Sequence, residues 1–190
     1  MTVEDARSDE MLASRAKTGD RGAFEALVQR HKGHLYGFLR HYVGHADDAY
    51  DVLQDCFVAA WVGLQRYDTG RPFLPWLRTV ALNKARDFGR RQAVRRMVMR
   101  VFSSEHAGEQ TTETGDRARE DAAEHDEQLA RLDRAIAGLP AFYKEPLLLT
   151  TVSGLSHAEA AVLLKTTPKA IEMRLARARR KLFQAVQEKD

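Results

Sequence analysis

The sequence predicts an all-α protein with two small domains, an N-terminal helical bundle and a C-terminal helix-turn-helix domain, joined by a flexible acidic linker. Three observations support this prediction. Apolar residues recur at three- and four-residue steps, period-two strand patterns are nearly absent, and one internal segment carries no large apolar residue. Hydrophobic residues make up 44% of the 190-residue chain, which is enough for a folded core in each domain.

The N-terminal domain is expected to span residues 8–95 and to contain four helices. Ser8 is placed to cap the first helix and Gly19 to end it. The second helix is amphipathic, although Gly33 and Gly37 weaken its pattern and leave a break in it open. The predicted helices cover residues 8–19, 20–44, 46–67 and 74–94.

The segment that follows is rich in acidic and small polar residues, and we predict a linker over residues 96–126. From Ser103 to Gln128 the chain has no apolar residue larger than alanine, and residues 103–127 hold nine Asp or Glu against two Arg. Such a segment cannot bury enough apolar surface to fold alone, so we expect it to be disordered.

The C-terminal domain, expected over residues 127–187, ends in the sharpest local pattern. Ser156 and Glu159 are spaced as a capping box before a short helix, and Thr167 and Pro168 are suited to start a longer one. Residues 169–181 of that longer helix carry six Lys or Arg against one acid. The pattern predicts a helix-turn-helix whose second helix enters a DNA major groove; a helical hairpin with a basic surface is the alternative.

Charge is segregated along the chain although the net charge is only +3. Residues 84–100 hold seven Lys or Arg against one acid, so basic segments lie on both sides of the acidic one. Two basic segments favour two contacts with a polyanion such as nucleic acid. Solvated helix faces would give the same pattern, so charge alone leaves both interpretations open.

Other functional classes leave no signal in the sequence. Cys56 is the single cysteine, so no internal disulfide or Cys-rich zinc site can form, and we expect a packed free thiol. His31 and His34 are expected to pack rather than to bind metal. No apolar run has the length of a membrane span, and the N-terminus lacks a signal-peptide layout. We therefore expect a cytoplasmic protein, not an enzyme, without a metal, a cofactor or direct membrane insertion.

The C-terminal domain resembles that of bacterial sigma factors. The matching motifs are a Leu-Pro start, a Gly-x-Ser-x-x-Glu segment and an Arg-x-x-Arg-Ala-Arg helix end, here Leu139-Pro140, Gly154, Ser156, Glu159, Arg174 and Arg177-Ala178-Arg179. The chain departs from the family at Glu172 and Met173, where bases would be read. Because an acid can accept from cytosine N4 and Met can pack on a thymine methyl, our hypothesis is an unusual promoter preference. The resemblance implies −35 DNA contacts by Lys169, Glu172, Met173, Arg174, Arg177 and Arg179.

The stretch "DDAYDVLQDCFVAAW" resembles the polymerase-binding helix of the same family, with matches at Asp51, Gln54, Asp55 and Phe57. Helical spacing places its acids in one stripe opposite the side of Phe57 and Trp61, although a solvated face would look the same. The resemblance implies that core RNA polymerase is bound through Asp47, Asp48, Asp51, Gln54 and Asp55.

The stretch "RPFLPWLRTVALNKARDFGRR" is similar to the family's promoter-melting region, with matches at Phe73, Trp76-Leu77, Asn83, Asp87 and Arg90-Arg91. Melted DNA needs pockets or aromatic faces for its bases and positive charge for its backbone. We expect Trp76 and Leu77 to be core residues and the loop through Phe73 to face DNA. The implied −10 DNA contacts are Arg66, Tyr67, Arg71, Phe73, Asn83, Lys84, Arg86 and Arg90.

The two-domain layout is similar to that of extracytoplasmic-function sigma factors of the sigma-70 family. The resemblance implies binding to core RNA polymerase, recognition of −10 and −35 promoter DNA, and melting of the −10 element. It also implies inhibition by an anti-sigma factor until a stress or envelope signal arrives, which would hold the protein at the inner membrane face where that factor is membrane-bound. A stand-alone helix-turn-helix regulator and an adaptor that never touches DNA are the competing classes.

Overall fold

The computed structural model describes residues 8–102 and 132–187, and every regular element in these two ranges is helical. We call residues 8–102 the first lobe and residues 132–187 the second lobe. The first lobe contains α1 (Asp9–Lys17), α2 (Arg21–Val43), α3 (Ala46–Gly63), a 3-10 turn (Leu64–Arg66) and α4 (Phe73–Phe102). The second lobe contains α5 (132–138), α6 (Ala141–Thr151), α7 (His157–Leu163) and α8 (Pro168–Gln187).

Side-chain caps set the beginnings of the first two helices. The Ser8 hydroxyl accepts from the Met11 amide at 3.2 Å, as predicted, and the Asp20 carboxylate accepts from the Ala23 amide at 3.0 Å. Helix α2 then continues without interruption through Gly33 and Gly37, so the break that these glycines left open does not occur. Packing of one face of α2 against α1, α3 and α4 compensates the low helix propensity of glycine.

Helix α4 is longer than the sequence predicted. It runs from Phe73 through Phe102, past the expected end at Val94 and past the linker start expected at residue 96. Residues 95–99 are exposed, so they extend the helix without a buried face. Arg and Met, which dominate this stretch, are good helix formers, and they prolong a helix that is already nucleated. The rest of the predicted linker lies outside the described residues.

The second lobe contains the predicted helix-turn-helix. The Ser156 hydroxyl accepts from the Glu159 amide at 3.2 Å, and the Glu159 carboxylate accepts from the Ser156 amide at 2.8 Å, which completes the capping box. The turn after α7 places Lys165 at a φ of 52°, and Thr167 caps α8 by accepting from the Ala170 amide at 3.2 Å. Helix α6 continues through its internal Pro146.

The two lobes touch each other, chiefly through α2 and α6. Gly44, which ends α2 with a φ of 94°, lies beside the second lobe. A Cβ atom at this position would lie 2.8 Å from the Ala137 Cβ of α5. Glycine is therefore required twice over, by the left-handed backbone and by the second lobe beside it.

Candidate nucleic-acid interface

A polar stripe on α3 faces solvent. Asp47, Asp51, Gln54 and Asp55 are exposed and Asp48 is half-buried, so the structure brings all five predicted polymerase-binding residues together on one side of the helix. The opposite side packs into the lobe through Ala49, Val52, Leu53, Cys56 and Ala60. The stripe is therefore a continuous acidic surface suited to a basic partner helix.

Apolar side chains extend this surface, and sequence reasoning missed them. Val58 is 65% exposed and Val62 is 69% exposed, one and two turns beyond Asp55. Tyr50 is 53% exposed and stacks on Tyr36 with a ring-centroid distance of 4.4 Å. The available signal was valines that continue the four-residue spacing of the acids on the polar side of the helix.

Cys56 lies on the buried side of α3, as the sequence predicted. It is fully buried and unpaired, and burial raises the pKa of its thiol to about 12. A thiol with so high a pKa holds almost no thiolate at neutral pH, so Cys56 acts as a small apolar core residue. His31 is likewise a packed side chain, with its Nε2 atom 2.8 Å from an Asp9 carboxylate oxygen.

A groove of about 370 Å³ separates α3 from α4. Its α3 wall is acidic, with Asp48, Asp51 and Asp55, and its α4 wall is basic. The basic wall consists of Lys84, Arg91 and Arg95. A predicted −10 contact, Lys84, therefore lines the same groove as three predicted polymerase contacts, so the two candidate surfaces adjoin each other.

The loop between the 3-10 turn and α4 rests on a buried aromatic cluster. Tyr67 is 2% exposed and Phe73 is 1% exposed, whereas Arg66 and Arg71 are exposed. The rings of Tyr67 and Phe73 meet edge to face at 5.6 Å, and the half-buried Trp76 ring lies 4.9 Å from Tyr67. Phe73 was expected to face DNA, and this placement is wrong because its ring fills the core between α1, α2 and α4.

Helix α1 is hydrogen-bonded to this loop, a contact that the sequence did not indicate. The Glu10 carboxylate accepts from the Phe73 amide at 3.1 Å, so an α1 side chain satisfies an amide at the start of α4. The Lys17 ammonium donates to the Tyr67 carbonyl at 2.9 Å, and the Tyr67 hydroxyl donates to the Arg71 carbonyl. These contacts tie the loop to a folded helix at both of its ends.

The polar side of α4 carries the remaining predicted −10 contacts. Asn83 and Arg90 are exposed, and Arg90 pairs with Asp87 one turn earlier. Arg86 is engaged by the second lobe: its Nε and Nη2 atoms donate to the two carboxylate oxygens of Glu145 at 2.7 and 2.6 Å. This bidentate pair occupies the planar edge of the guanidinium that would otherwise grip a phosphate.

Further charged side chains join the lobes around this ion pair. Asp133 of α5 contacts two side chains of α2, with Arg40 Nη1 at 3.0 Å and His41 Nδ1 at 2.5 Å from its carboxylate oxygens. The buried Lys144 ammonium donates to the carbonyls of Tyr42 and Ala137, at 3.2 and 2.5 Å. Burial, followed by the nearby charge of Arg96, lowers the pKa of Lys144 to about 8. The seam between the lobes is therefore polar and strongly charged.

The α8 surface is open by comparison. Most of the predicted −35 contacts on α8 are exposed, namely Lys169, Glu172, Met173, Arg177 and Arg179. Glu172 accepts from the Lys169 ammonium at 2.8 Å, and this bond lowers the pKa of the carboxyl. Glu172 therefore stands at the surface as a carboxylate that is an acceptor only.

Arg174 differs from its neighbours because it is half-buried at the edge of α8. Its guanidinium carbon lies 3.9 Å from the centroid of the Phe142 ring of α6, and its Nη2 atom donates to the Thr166 hydroxyl at 3.3 Å. Sequence reasoning predicted Arg174 as a DNA contact but missed both side chains that hold it, because they lie 32 and 8 residues away along the chain.

Comparison with known proteins assigns both lobes. Sigma-70 region 2 matches residues 27–96, and Sigma-70 region 4 matches residues 129–182. The chain is 39% identical over 185 residues to the RNA polymerase sigma factor NccH of Alcaligenes xylosoxydans xylosoxydans, covering 97% of this chain and 98% of NccH. The chain belongs to the sigma-70 family of RNA polymerase sigma factors.

Other full-length relatives carry the same description. The sigma factor CnrH of Cupriavidus metallidurans is 38% identical over 96% of this chain and 95% of CnrH. SigD of Mycobacterium tuberculosis, named an extracytoplasmic-function sigma factor, is 31% identical over 96% of this chain and 85% of SigD. Agreement along both lobes supports the sigma-factor interpretation over a stand-alone regulator.

Solved sigma-factor structures share the fold. CnrH in complex with the cytosolic domain of CnrY superposes with a TM-score of 0.69 at 33% identity, covering 97% of this chain and all of CnrH. RpoE of Bartonella quintana, solved with the anti-sigma factor NepR, superposes with a TM-score of 0.63 at 21% identity and supports the fold alone.

Neither a membrane-spanning helix nor a metal-binding cluster is present in residues 8–102 and 132–187. No helix in these ranges is long and apolar enough to cross a membrane. The same ranges bring together no group of three or more His, Cys, Asp or Glu side chains suited to hold a metal ion.

Proposed function

We propose that this sigma factor binds core RNA polymerase through the acidic stripe of α3 and places its two lobes on the two promoter elements. The observation that carries the proposal is the exposed stripe itself, on a helix inside the region that matches sigma-70 region 2. Its five polar side chains lie at helical spacing on one side of α3, four of them exposed and Asp48 half-buried, and a basic partner helix complements them. The stripe consists of Asp47, Asp48, Asp51, Gln54 and Asp55.

The first lobe captures the melted −10 strand in this proposal. Exposed Arg66 and Arg71 flank a loop whose buried rings, Tyr67 and Phe73, keep it rigid instead of stacking on bases. A rigid loop holds an extruded base without ordering itself first, which lowers the entropic cost of capture. Asn83 reads a base edge beside it, while Lys84, Arg86 and Arg90 neutralise phosphates of the upstream duplex.

The second lobe reads the −35 element through α8 in the major groove. Lys169, Glu172 and Met173 lie in its first two turns, the part of a recognition helix that faces bases. Arg174, Arg177 and Arg179 contribute positive charge for phosphates. An acceptor-only Glu172 favours a cytosine N4 donor at its position, which is the basis of the unusual promoter preference.

We also propose that an anti-sigma factor holds the protein inactive until a stress or envelope signal arrives. The similarity to CnrH, which was solved with the cytosolic domain of CnrY, supports this inference. Such a factor confines a cytoplasmic sigma factor to the inner membrane face when it is itself membrane-bound. The sigma factor then contributes positioning and strand capture, and the polymerase contributes all chemistry. The corresponding functional units are residues 8–95 and 127–187, with residues 96–126 as the connection.

Transcription with purified components tests the polymerase-binding proposal. Core RNA polymerase plus this chain should give specific run-off transcripts from a promoter selected out of a random library. Asp51→Lys should lower affinity for core by about tenfold or more, because a repulsive charge enters the centre of the interface. Glu25→Lys makes the same charge change at an exposed position of α2 and should leave affinity unchanged. Equal loss in both variants would contradict the placement of the interface on α3.

Asn83→Ala tests the −10 assignment in the same assay. Promoter opening, followed by permanganate reactivity of unpaired thymines, should fall by about tenfold because a base-edge hydrogen bond is lost. Binding to core and the melting temperature should stay the same, since Asn83 is exposed. A pre-melted bubble template should restore part of the activity. Loss of the fold instead would assign Asn83 a structural role.

A further inference from the structure

Two neighbouring aromatic rings at the start of α6 each hold a cation of α8. The Arg174 guanidinium carbon lies 3.9 Å from the Phe142 ring centroid, and the Lys181 ammonium lies 5.8 Å from the Tyr143 ring centroid. The two rings support each other edge to face at 5.2 Å. Cations within about 6 Å of an aromatic face are attracted by the ring quadrupole. The start of α6 is therefore an aromatic ledge, Phe142–Tyr143, beneath two cations that lie two helical turns apart.

The cations on this ledge belong to one flank of α8 and not to its base-facing side. Ile171, Leu175 and Ala178 are buried against the lobe, so the helix side opposite them carries Lys169, Met173 and Arg180. Arg174 and Lys181 lie between these two sides, in the row that also contains Arg177. A helix in the major groove turns its outer side to the bases and its flanks to the two phosphate backbones.

The contacts restrict Arg174 more than a surface arginine is normally restricted. The guanidinium lies over the Phe142 ring, and the Thr166 hydroxyl accepts from one of its five donors at 3.3 Å, so two contacts limit its positions. The remaining donors stay available on the solvent side, because Arg174 is only half-buried. A guanidinium that is already oriented loses less rotamer freedom when it pairs with a phosphate.

We propose that Phe142 is a positioning residue for promoter recognition: it holds Arg174 in place to contact a DNA phosphate beside the −35 bases, and Tyr143 supports Lys181 in the same way. The inference rests on the proposed −35 role of α8. It adds that the register of α8 in the groove is set from α6, by rings that touch no DNA themselves.

Exposure of the ring argues for this role over simple packing. Phe142 is 52% exposed, so it contributes less to the core than a buried ring would. Phe183, also in the second lobe, is 64% exposed on α8, and no cation–ring contact involves it within the part of the chain that the structure describes. It is therefore a matched control with the same chemistry and without the cation.

The test is a double-mutant cycle in holoenzyme assembled from the full chain and core RNA polymerase. Affinity for a promoter fragment with a duplex −35 element is measured across a series of salt concentrations. Phe142→Leu should weaken binding about three- to fivefold. Phe142→Tyr keeps an aromatic ring at this position and should bind as tightly as the wild-type protein. Arg174→Ala should reduce the slope of log affinity against log salt by about 0.9, the value for one lost phosphate contact.

The decisive measurement is Phe142→Leu in the Arg174→Ala background. If the ring acts through Arg174, Phe142→Leu should have no further effect on affinity in the Arg174→Ala background. Phe183→Leu should leave affinity unchanged in both backgrounds. An equal loss from Phe142→Leu in both backgrounds, or the same loss from Phe183→Leu, would overturn the inference. Wild-type holoenzyme that fails to select any −35 sequence would instead overturn the proposed function on which the inference rests.

Discussion

The two candidate DNA-binding surfaces are in different states in the same molecule. On α8 of the second lobe, Lys169, Met173 and Arg177 are exposed, and the carboxylate of Glu172 accepts from Lys169 of the same helix. On α4 of the first lobe, Arg86 is paired bidentately with Glu145 of α6, whose side chain is 8% exposed. One surface is open to DNA, and the other has an internal partner.

The difference shows how a charged residue can serve two purposes. An arginine suited to a phosphate is equally suited to a carboxylate, because both present paired oxygens to the guanidinium fork. While the lobes touch, Glu145 occupies the place of a phosphate at Arg86. The proposed contact of Arg86 with a phosphate of the upstream duplex and closure of the lobes at this seam therefore compete, whereas the candidate residues of α8 stay exposed while the lobes touch.

The largest effect is expected from removing the internal partner. Glu145→Gln should lower the free energy of unfolding by about 2 kcal/mol, because a charged, nearly buried hydrogen-bond acceptor is lost. The same variant should bind a −10 oligonucleotide that includes the upstream duplex edge several-fold more tightly as free protein, since Arg86 is released. Urea denaturation and fluorescence anisotropy measure the two changes.

Glu172→Gln is the matched control, since it makes the same substitution on the open surface. It should leave both the unfolding free energy and the binding of the −10 oligonucleotide unchanged, because Glu172 is exposed on α8. Similar behaviour of the two variants would remove the distinction between a closed and an open surface.

A smaller effect, of about 1 kcal/mol, should appear in the pH dependence of stability. Lys144 has its pKa lowered from 10.5 to about 8 in the folded protein. Between these values the unfolded chain binds more protons than the folded one, so stability rises with pH from about 8 upward. The rise should reach about 1 kcal/mol by pH 9 in chemical denaturation, and Lys144→Met should abolish it.

Two other buried groups oppose Lys144 at higher pH. The pKa of the Cys56 thiol is raised from 9.0 to about 12, and burial also raises the pKa of Tyr42 above its ordinary value of 10.0. Both groups keep their protons in the folded protein while the unfolded chain loses them, so each lowers stability as pH rises. The profile should therefore flatten above pH 9 and fall above about pH 10. A stability that rises steadily to pH 11 would contradict this assignment.

The smallest effect on stability, but a clear one on specificity, is expected from Glu172→Lys. Promoter preference in a binding selection should change at one −35 position, because an acceptor that favours cytosine N4 becomes a donor. Overall affinity should rise as well, and Glu25→Lys controls for the added charge. An unchanged sequence preference would show that Glu172 does not face a base.

Local signals explain what the sequence predicted well. The Ser8 cap, the box of Ser156 and Glu159, and the start of α8 at Thr167 and Pro168 all depend on residues within one helical turn of each other. Such interactions are encoded by neighbouring residues and do not depend on how the rest of the chain folds. The two lobes and the acidic stripe of α3 follow from similar periodic patterns.

Contacts distant in sequence explain what was missed. Lys144 and Glu145 are charged residues that normally face water, and nothing near them in the chain reveals that α2 and α4 cover them. Phe73 was placed on the DNA-facing loop through the family resemblance, yet its amide donates to Glu10, far away in sequence, and its ring packs against that of Tyr67. The role of Phe142 beneath Arg174 likewise needs α6 and α8 side by side.

The contact between the lobes at Gly44 leaves no space for a side chain. The Cα atom of Gly44 fits beside Ala137 because it carries no side chain. A single added carbon would stand 2.8 Å from the alanine methyl. A methyl group at this one position would therefore push against the second lobe. Contact between the lobes at this point depends on a hydrogen atom in place of a side chain.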